Sequence, residues 1–195
     1  SGSVSTTAVS TNEFSTFIKV GSGSMNFSSG ASINAGTFEV FGGTVTTAAT
    51  NQIGDTTILS LTGSSARFNL GGNDTILNLN GVAGSVMNIG SSTLTINAVG
   101  LLIGGNTSNT NGEFAGSITG TGSLVKTGTN TQALTGNNTF TGTTTITAGN
   151  LRVNSDASFG TAPASFVANQ LVSSSTLTLS GDVSLHPNRG LTAGG

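Results

Sequence analysis

The chain has 195 residues, enough for one domain or one uninterrupted array of repeats. Charged residues make up 6% and cysteine is absent, which excludes disulfide, thiolate and zinc–thiolate chemistry. With a net charge of −2 and only Lys19, Arg67, Lys126, Arg152 and Arg189 as bases, no basic patch exists to bind nucleic acid.

Gly, Ser, Thr and Asn supply 110 of the 195 residues, so the chain is poor in helix formers and rich in turn formers. Mean hydropathy is slightly positive because so little charge is present, unlike the composition of disordered chains. The expectation is an all-β chain with many turns. The sequence opens on a polar, Ser/Thr-rich stretch rather than a leader, so we expect a leader already removed or a part of something longer.

Residues 1–30 are the least patterned, apart from Phe14, Phe17, Ile18 and Val20, and read as an N-terminal cap or an extended arm. Residues 31–195 read as β-helix repeats. Thr37–Phe41 alternates apolar with polar and is closed by Gly42-Gly43; Ala66–Leu70 does the same before Gly71-Gly72. Further strands are predicted at Thr75–Leu79, Val86–Ile89 and Thr93–Asn97. The longest apolar stretch, Ala98–Ile103, is far short of a membrane span. Gly104–Gly112 is a polar break, expected to be a long turn leaving the array. Thr143–Thr147 and Thr176–Leu179 predict two more strands, and Pro163 and Pro187 mark loops.

Strand centres recur about every 8–12 residues, which fits a sandwich, a barrel or a solenoid. A sandwich core calls for longer strands and bulkier residues, and Trp and Tyr are both absent. A parallel β-helix instead uses short strands cornered by Gly and Asn. At about 20–25 residues per coil, eight or nine coils stacked at ~4.8 Å would give a rod of order 40 Å.

From Gly120 to Gly160 the chain reads GTGSLVKTGTNTQALTGNNTFTGTTTITAGNLRVNSDASFG. This resembles the autotransporter-associated β-strand repeat found in passenger regions of bacterial surface proteins. Gly120, Gly122, Leu124, Lys126 and Gly128 match its opening; Gly136, Asn138, Phe140 and Gly142 match its turn. Thr145, Ile146, Ala148, Gly149 and Leu151 complete it. Phe140 stands where Tyr is usual, Thr143 where a second Gly is common, and Asn150 where Thr is common. The resemblance implies a right-handed parallel β-helix, export to the cell surface and a structural role. On the residues alone, Leu124, Leu134, Ile146 and Leu151 point inward, the threonines form an outer ladder, and Phe140 plugs a corner. No alternating, aromatic-girdled strands of an outer-membrane barrel follow, so the chain is expected to be an excised passenger segment or a standalone exported subunit.

Catalysis needs convergent ionisable groups, and few are present. Glu13, Glu39, Asp55, Asp74, Glu113, Asp156 and Asp182 are never closer than 16 residues apart and read as solvated edge acids. Coil stacking could still bring Glu39 beside Asp55. His186, the single histidine, lies in a turn and is expected to be a turn-surface or capping residue, which leaves no triad and no histidine-rich metal site. Gly71-Gly72-Asn73-Asp74 has part of a calcium nonapeptide but lacks its tandem copies and reads as a turn. Gly120-Thr121-Gly122 is followed by neither a helix nor a Walker lysine. Thr-x-Thr at 93–95, 143–145, 145–147 and 176–178 could order water if in register, yet its spacing is irregular. Glycosylation sequons at Asn26, Asn73, Asn106 and Asn137 follow from composition.

The expectation is therefore a non-enzymatic, extracellular building block of a fibre, sheath or adhesin stalk, with no catalytic, cofactor or metal residues. Self-association is the expected partnership, and a passenger segment binding glycan or host surface is the alternative. An ice-binding or a polysaccharide-cleaving β-helix ranks below both. The N-terminal 20 residues are a candidate for strand addition to a neighbour.

Overall fold

A computed structural model describes residues 4–6, 9–10, 15–103, 106–108 and 111–194, of which 4–6, 9–10, 101–103 and 106–108 are described by backbone only. Glu13, Phe14 and the intervening parts of the N-terminal arm, with Gly104 and Gly195, lie outside the described residues.

Short apolar–polar alternations bounded by Gly and Asn give strands of two to seven residues, gathered mainly into three parallel sheets. Face I stacks Val4–Thr6, Ser24–Phe27, Thr44–Thr46, Arg67–Asn69, Val86–Asn88 and Ser117–Thr119. Face II stacks Thr16–Lys19, Thr37–Val40, Ile58–Leu61, Asn78–Gly81, Gly112–Phe114, Thr131–Leu134, Asn150–Val153 and Thr176–Leu179. Face III opens with the pair Val9–Ser10 and Ile33–Asn34 and a single bridge from Ile33 to Ile53. It continues through Asp74–Ile76, Leu94–Asn97, Leu124–Thr127, Thr144–Ile146, Val167–Ser173 and Arg189–Ala193. The chain visits the faces in the order I, III, II, and each ladder joins one coil to the next. The architecture is a parallel β-solenoid of about 8 turns, as the composition and strand spacing predict.

The regular step is close to 20 residues: Thr37 pairs with Ile58, Ile58 with Asn78, Asp74 with Leu94 and Leu124 with Thr144. Two coils are longer. Leu94 pairs with Leu124, a step of 30, because the antiparallel hairpin Leu101–Ile103/Asn106–Ser108 is inserted between faces III and II. Thr144 pairs with Leu171, a step of 27, which accommodates the 3-10 turn Asp156–Phe159 and the loop carrying Pro163.

Most predicted strands fall in place, but Thr75–Leu79 is two strands rather than one. Asp74–Ile76 belongs to face III and Asn78–Gly81 to face II. Leu77 sits at the corner and, like Ile76, Asn78 and Leu79, is buried, so strict alternation fails where the chain bends around the core.

Inward side chains stack in columns through the rod. Phe17 lies flat on Phe38 at 5.2 Å, and Phe27 and Phe68 each meet Phe38 edge-on at 6.3 Å, linking faces I and II. Farther along, Leu124, Leu134, Ile146 and Leu151 are buried as expected, and Phe140 is fully covered. Where a column lacks a side chain, the next coil fills it. Gly81 pairs with Phe114, whose ring lies where a Cβ on Gly81 would fall. Gly112 leaves room for the buried amide of Gln132.

Face I loses its strand form in the last coils. Beyond Ser117–Thr119 its place is taken by the segment around Asn138–Phe140 and then by Asp156–Phe159. Asn138 keeps the stack closed: its Oδ1 accepts the Ile118 N–H at 2.8 Å and its Nδ2 donates to Ser158 O at 2.6 Å.

Candidate functional site

Among the described residues the ionisable groups do not gather in one place. Glu39 and Asp55 are not joined: Glu39 faces outward on face II, pairs across the coil with Ser60 and accepts a hydrogen bond from Thr62 at 2.7 Å. The Asp55 charge instead acts on Asp74. Glu113 meets Arg152 at 3.7 Å on the exposed side of face II, a pairing of small energetic weight. Among the described residues no three His, Asp or Glu side chains are placed to hold a metal ion.

Two acids read as solvated are not. Asp74 is 2% exposed, at the first inward position of its face III strand. Its Oδ2 accepts the N–H groups of Gln52 (2.9 Å) and Ile53 (3.1 Å), and its Oδ1 accepts the Thr75 N–H at 2.9 Å. Desolvation outweighs these hydrogen bonds and pushes its carboxyl up to about 6. The turn read at Gly71–Asp74 thus ends in a carboxylate that completes face III where Ile53 supplies only a bridge. Asp156 makes a bidentate pair with Arg189, Nε–Oδ1 at 2.9 Å and Nη2–Oδ2 at 3.1 Å. Burial alone would raise the Asp156 carboxyl, but hydrogen bonds from Arg189 and the His186 N–H hold it below its ordinary value. The Arg189 guanidinium is enclosed; it also donates to Phe159 O and Gly160 O and lies 5.7 Å from the Phe159 ring centroid. His186 is exposed in its turn, where its Nδ1 accepts the Asn188 N–H at 3.2 Å.

The chemistry that is built in serves the coil corners. Lys126 takes an inward position between Ile96 and Ile146 and is fully buried. Its ammonium donates to the carbonyls of Thr127, Gly128 (3.0 Å) and Ala148 (3.3 Å), tying its own corner to the next coil. Gly149, at φ +68°, crosses directly over this cage, where a Cβ would strike Gly128 O and Lys126 Nζ. Burial lowers the Lys126 amine to about 8. Lys19 repeats the device near the other end, donating to Val20 O, Gly21 O and Gly42 O. Sequence reasoning assigned no role to either lysine, although both stand in a Lys-x-Gly corner.

Gln52 and Gln132 are buried and equally structural. Gln52 Oε1 accepts from the Ala48 and Ala49 N–H groups, while its Nε2 donates to Ser28 O and Ala31 O one coil below. The Gln132 amide reaches past Gly112 to Leu79 two coils away, donating to its C=O at 2.8 Å and accepting its N–H at 3.2 Å. These side chains stand in for backbone rungs that irregular coils lack.

Parallel coils, side-chain rungs at the corners and scattered acids define a β-solenoid whose polar interior is structural. Residues 124–153 match the family described as passenger-associated-transport-repeat, inside the 120–160 segment that resembles the autotransporter passenger repeat. The match and the solenoid architecture fit together, since 124–153 runs from one face III strand to the second following face II strand. No curated protein and no solved structure matches the chain.

Proposed function

We propose that the chain is a non-enzymatic, exported structural segment, a passenger-type β-helical building block of a bacterial surface fibre, sheath or adhesin stalk. The observation that carries this reading is the passenger repeat at 124–153, continuous in register with coils on both sides. The passenger repeat is also what favours a secreted or surface-exposed location.

Self-association belongs to the same proposal. With only 6% charged residues, such rods can pack closely side by side or end to end. Electron microscopy over a concentration series tests it. Filaments or end-to-end rods lengthening with concentration are expected; isolated short rods at every concentration would sink the self-assembly reading.

A further inference from the structure

Face III carries a feature that the spacing of residues along the chain conceals. Its outward positions Thr75, Thr95, Val125, Thr145, Val172 and Thr192 lie in one unbroken column, each paired with the next. Thr93, Ser123 and Thr143 precede Leu94, Leu124 and Thr144, which are themselves paired in succession, so they form a second column beside the first. Thr143 and Ser123 bond through their hydroxyls at 3.2 Å. The irregular intervals between the Thr-x-Thr motifs arise from the hairpin inserted at 101–108, which lengthens one coil without shifting the pairing. Thr176–Thr178 is the exception and belongs to face II.

Three properties set this face apart. It is uncharged: the ionisable residues on the described face III strands, Asp74, Lys126 and Arg189, are all buried. It joins methyl to hydroxyl, since Val replaces Thr without changing the outward γ-methyl. Its central hydroxyls are also left open to solvent-side partners by the residues described. Among the described residues nothing bonds the side chains of Thr75, Thr95 or Thr145, whereas outward Thr46, Thr62 and Thr178 on the other faces bond to Asn69, Glu39 and Asn150.

We propose that outward face III is a binding face for ice. Columns on neighbouring coils lie about 4.8 Å apart, and hydroxyls two residues apart along a strand lie about 6.6 Å apart. An array on that two-dimensional grid holds water in an arrangement of the same scale as the oxygen repeats at the surface of ice. Methyl groups between the hydroxyls order the same layer by denying it other partners. An ordered polysaccharide would call for an aromatic platform, and the chain contains neither Trp nor Tyr.

The test is partition of the full chain into a slowly growing ice front, together with inhibition of recrystallisation. Wild type is expected to enter the ice and keep its crystals small. Thr145→Lys and, separately, Thr95→Lys should be excluded from the ice front at least tenfold more, while Thr119→Lys on face I should behave as wild type. Melting midpoints of the variants within a few degrees of wild type establish that the solenoid is intact. Exclusion of wild type from ice, equal partition of Thr145→Lys and Thr119→Lys, or retention on crystalline cellulose in place of ice would each overturn the proposal.

Discussion

Gln132 offers the sharpest test of the idea that side chains substitute for missing rungs. Its amide is fully buried, spans the space left by Gly112, and pairs with both the N–H and the C=O of Leu79. Gln132→Leu keeps the volume but leaves two buried backbone groups unpaired, at about 1–3 kcal/mol each. The added apolar surface returns about 1 kcal/mol. The net loss should therefore be about 1–5 kcal/mol, which for a chain of this size lowers the melting midpoint by roughly 2–20 °C. Thermal melting followed by circular dichroism reads the loss, and amide exchange at Leu79 locates it. The Leu79 N–H should be protected in wild type and exchange far faster in the variant. A variant melting within about 1 °C of wild type, with Leu79 still protected, would refute the substitution argument.

Two more outcomes follow from buried polar groups. The folded-state carboxyl of Asp74 is raised to about 6 from 3.8, so folding binds a proton between those values. Its contribution to stability is fully present below about pH 3.8 and is lost as the pH rises through about 6. Urea midpoints measured from pH 3.5 to 7 should show this component in the wild-type profile, and Asp74→Asn should remove it; identical slopes would count against the assignment. Thr144 points inward between Leu124 and Leu171, and its hydroxyl has no partner among the described residues. Thr144→Val should thus raise stability by about 1 kcal/mol in the same urea titration, and a loss of that size would show that the hydroxyl is satisfied.

The fold was legible where the physics is local. Apolar residues alternating over three or four positions, closed by Gly, marked Thr37–Val40, Leu94–Asn97 and Thr176–Leu179 because a strand needs only that much sequence. Leu124, Leu134, Ile146, Leu151 and Phe140 could be placed in the core because the repeat fixes their spacing. What stayed hidden depends on residues one coil or more away. Asp74 looks like a turn residue until the bare backbone of Gln52 and Ile53 is laid beneath it. Asp156 and Arg189 are 33 positions apart, with nothing in the sequence to pair them. Lys126 occupies a strand position where alternation places a side chain inward, between Ile96 and Ile146, and nothing local in the sequence shows the carbonyl cage that receives its charge. The register of face III was hidden by a plain insertion, which breaks the count of residues without breaking the ladder.

That insertion has a practical meaning. The coil that carries it resumes face II at Gly112–Phe114 with Gly81 opposite Phe114, so ten extra residues leave the register of face III unbroken and cost face II only rungs that Gln132 helps to replace. In a stack where each turn rests mainly on its neighbours, and where Gln132 reaches across the inserted coil to Leu79, an insertion at one bend leaves the rest of the ladder in place. The bend between Asn97 and Asn111 is accordingly a natural grafting point: a peptide epitope, an enzyme tag or a lineage-specific decoration could be displayed there at a fixed height along the rod, and exchanged freely while the shaft stays the same.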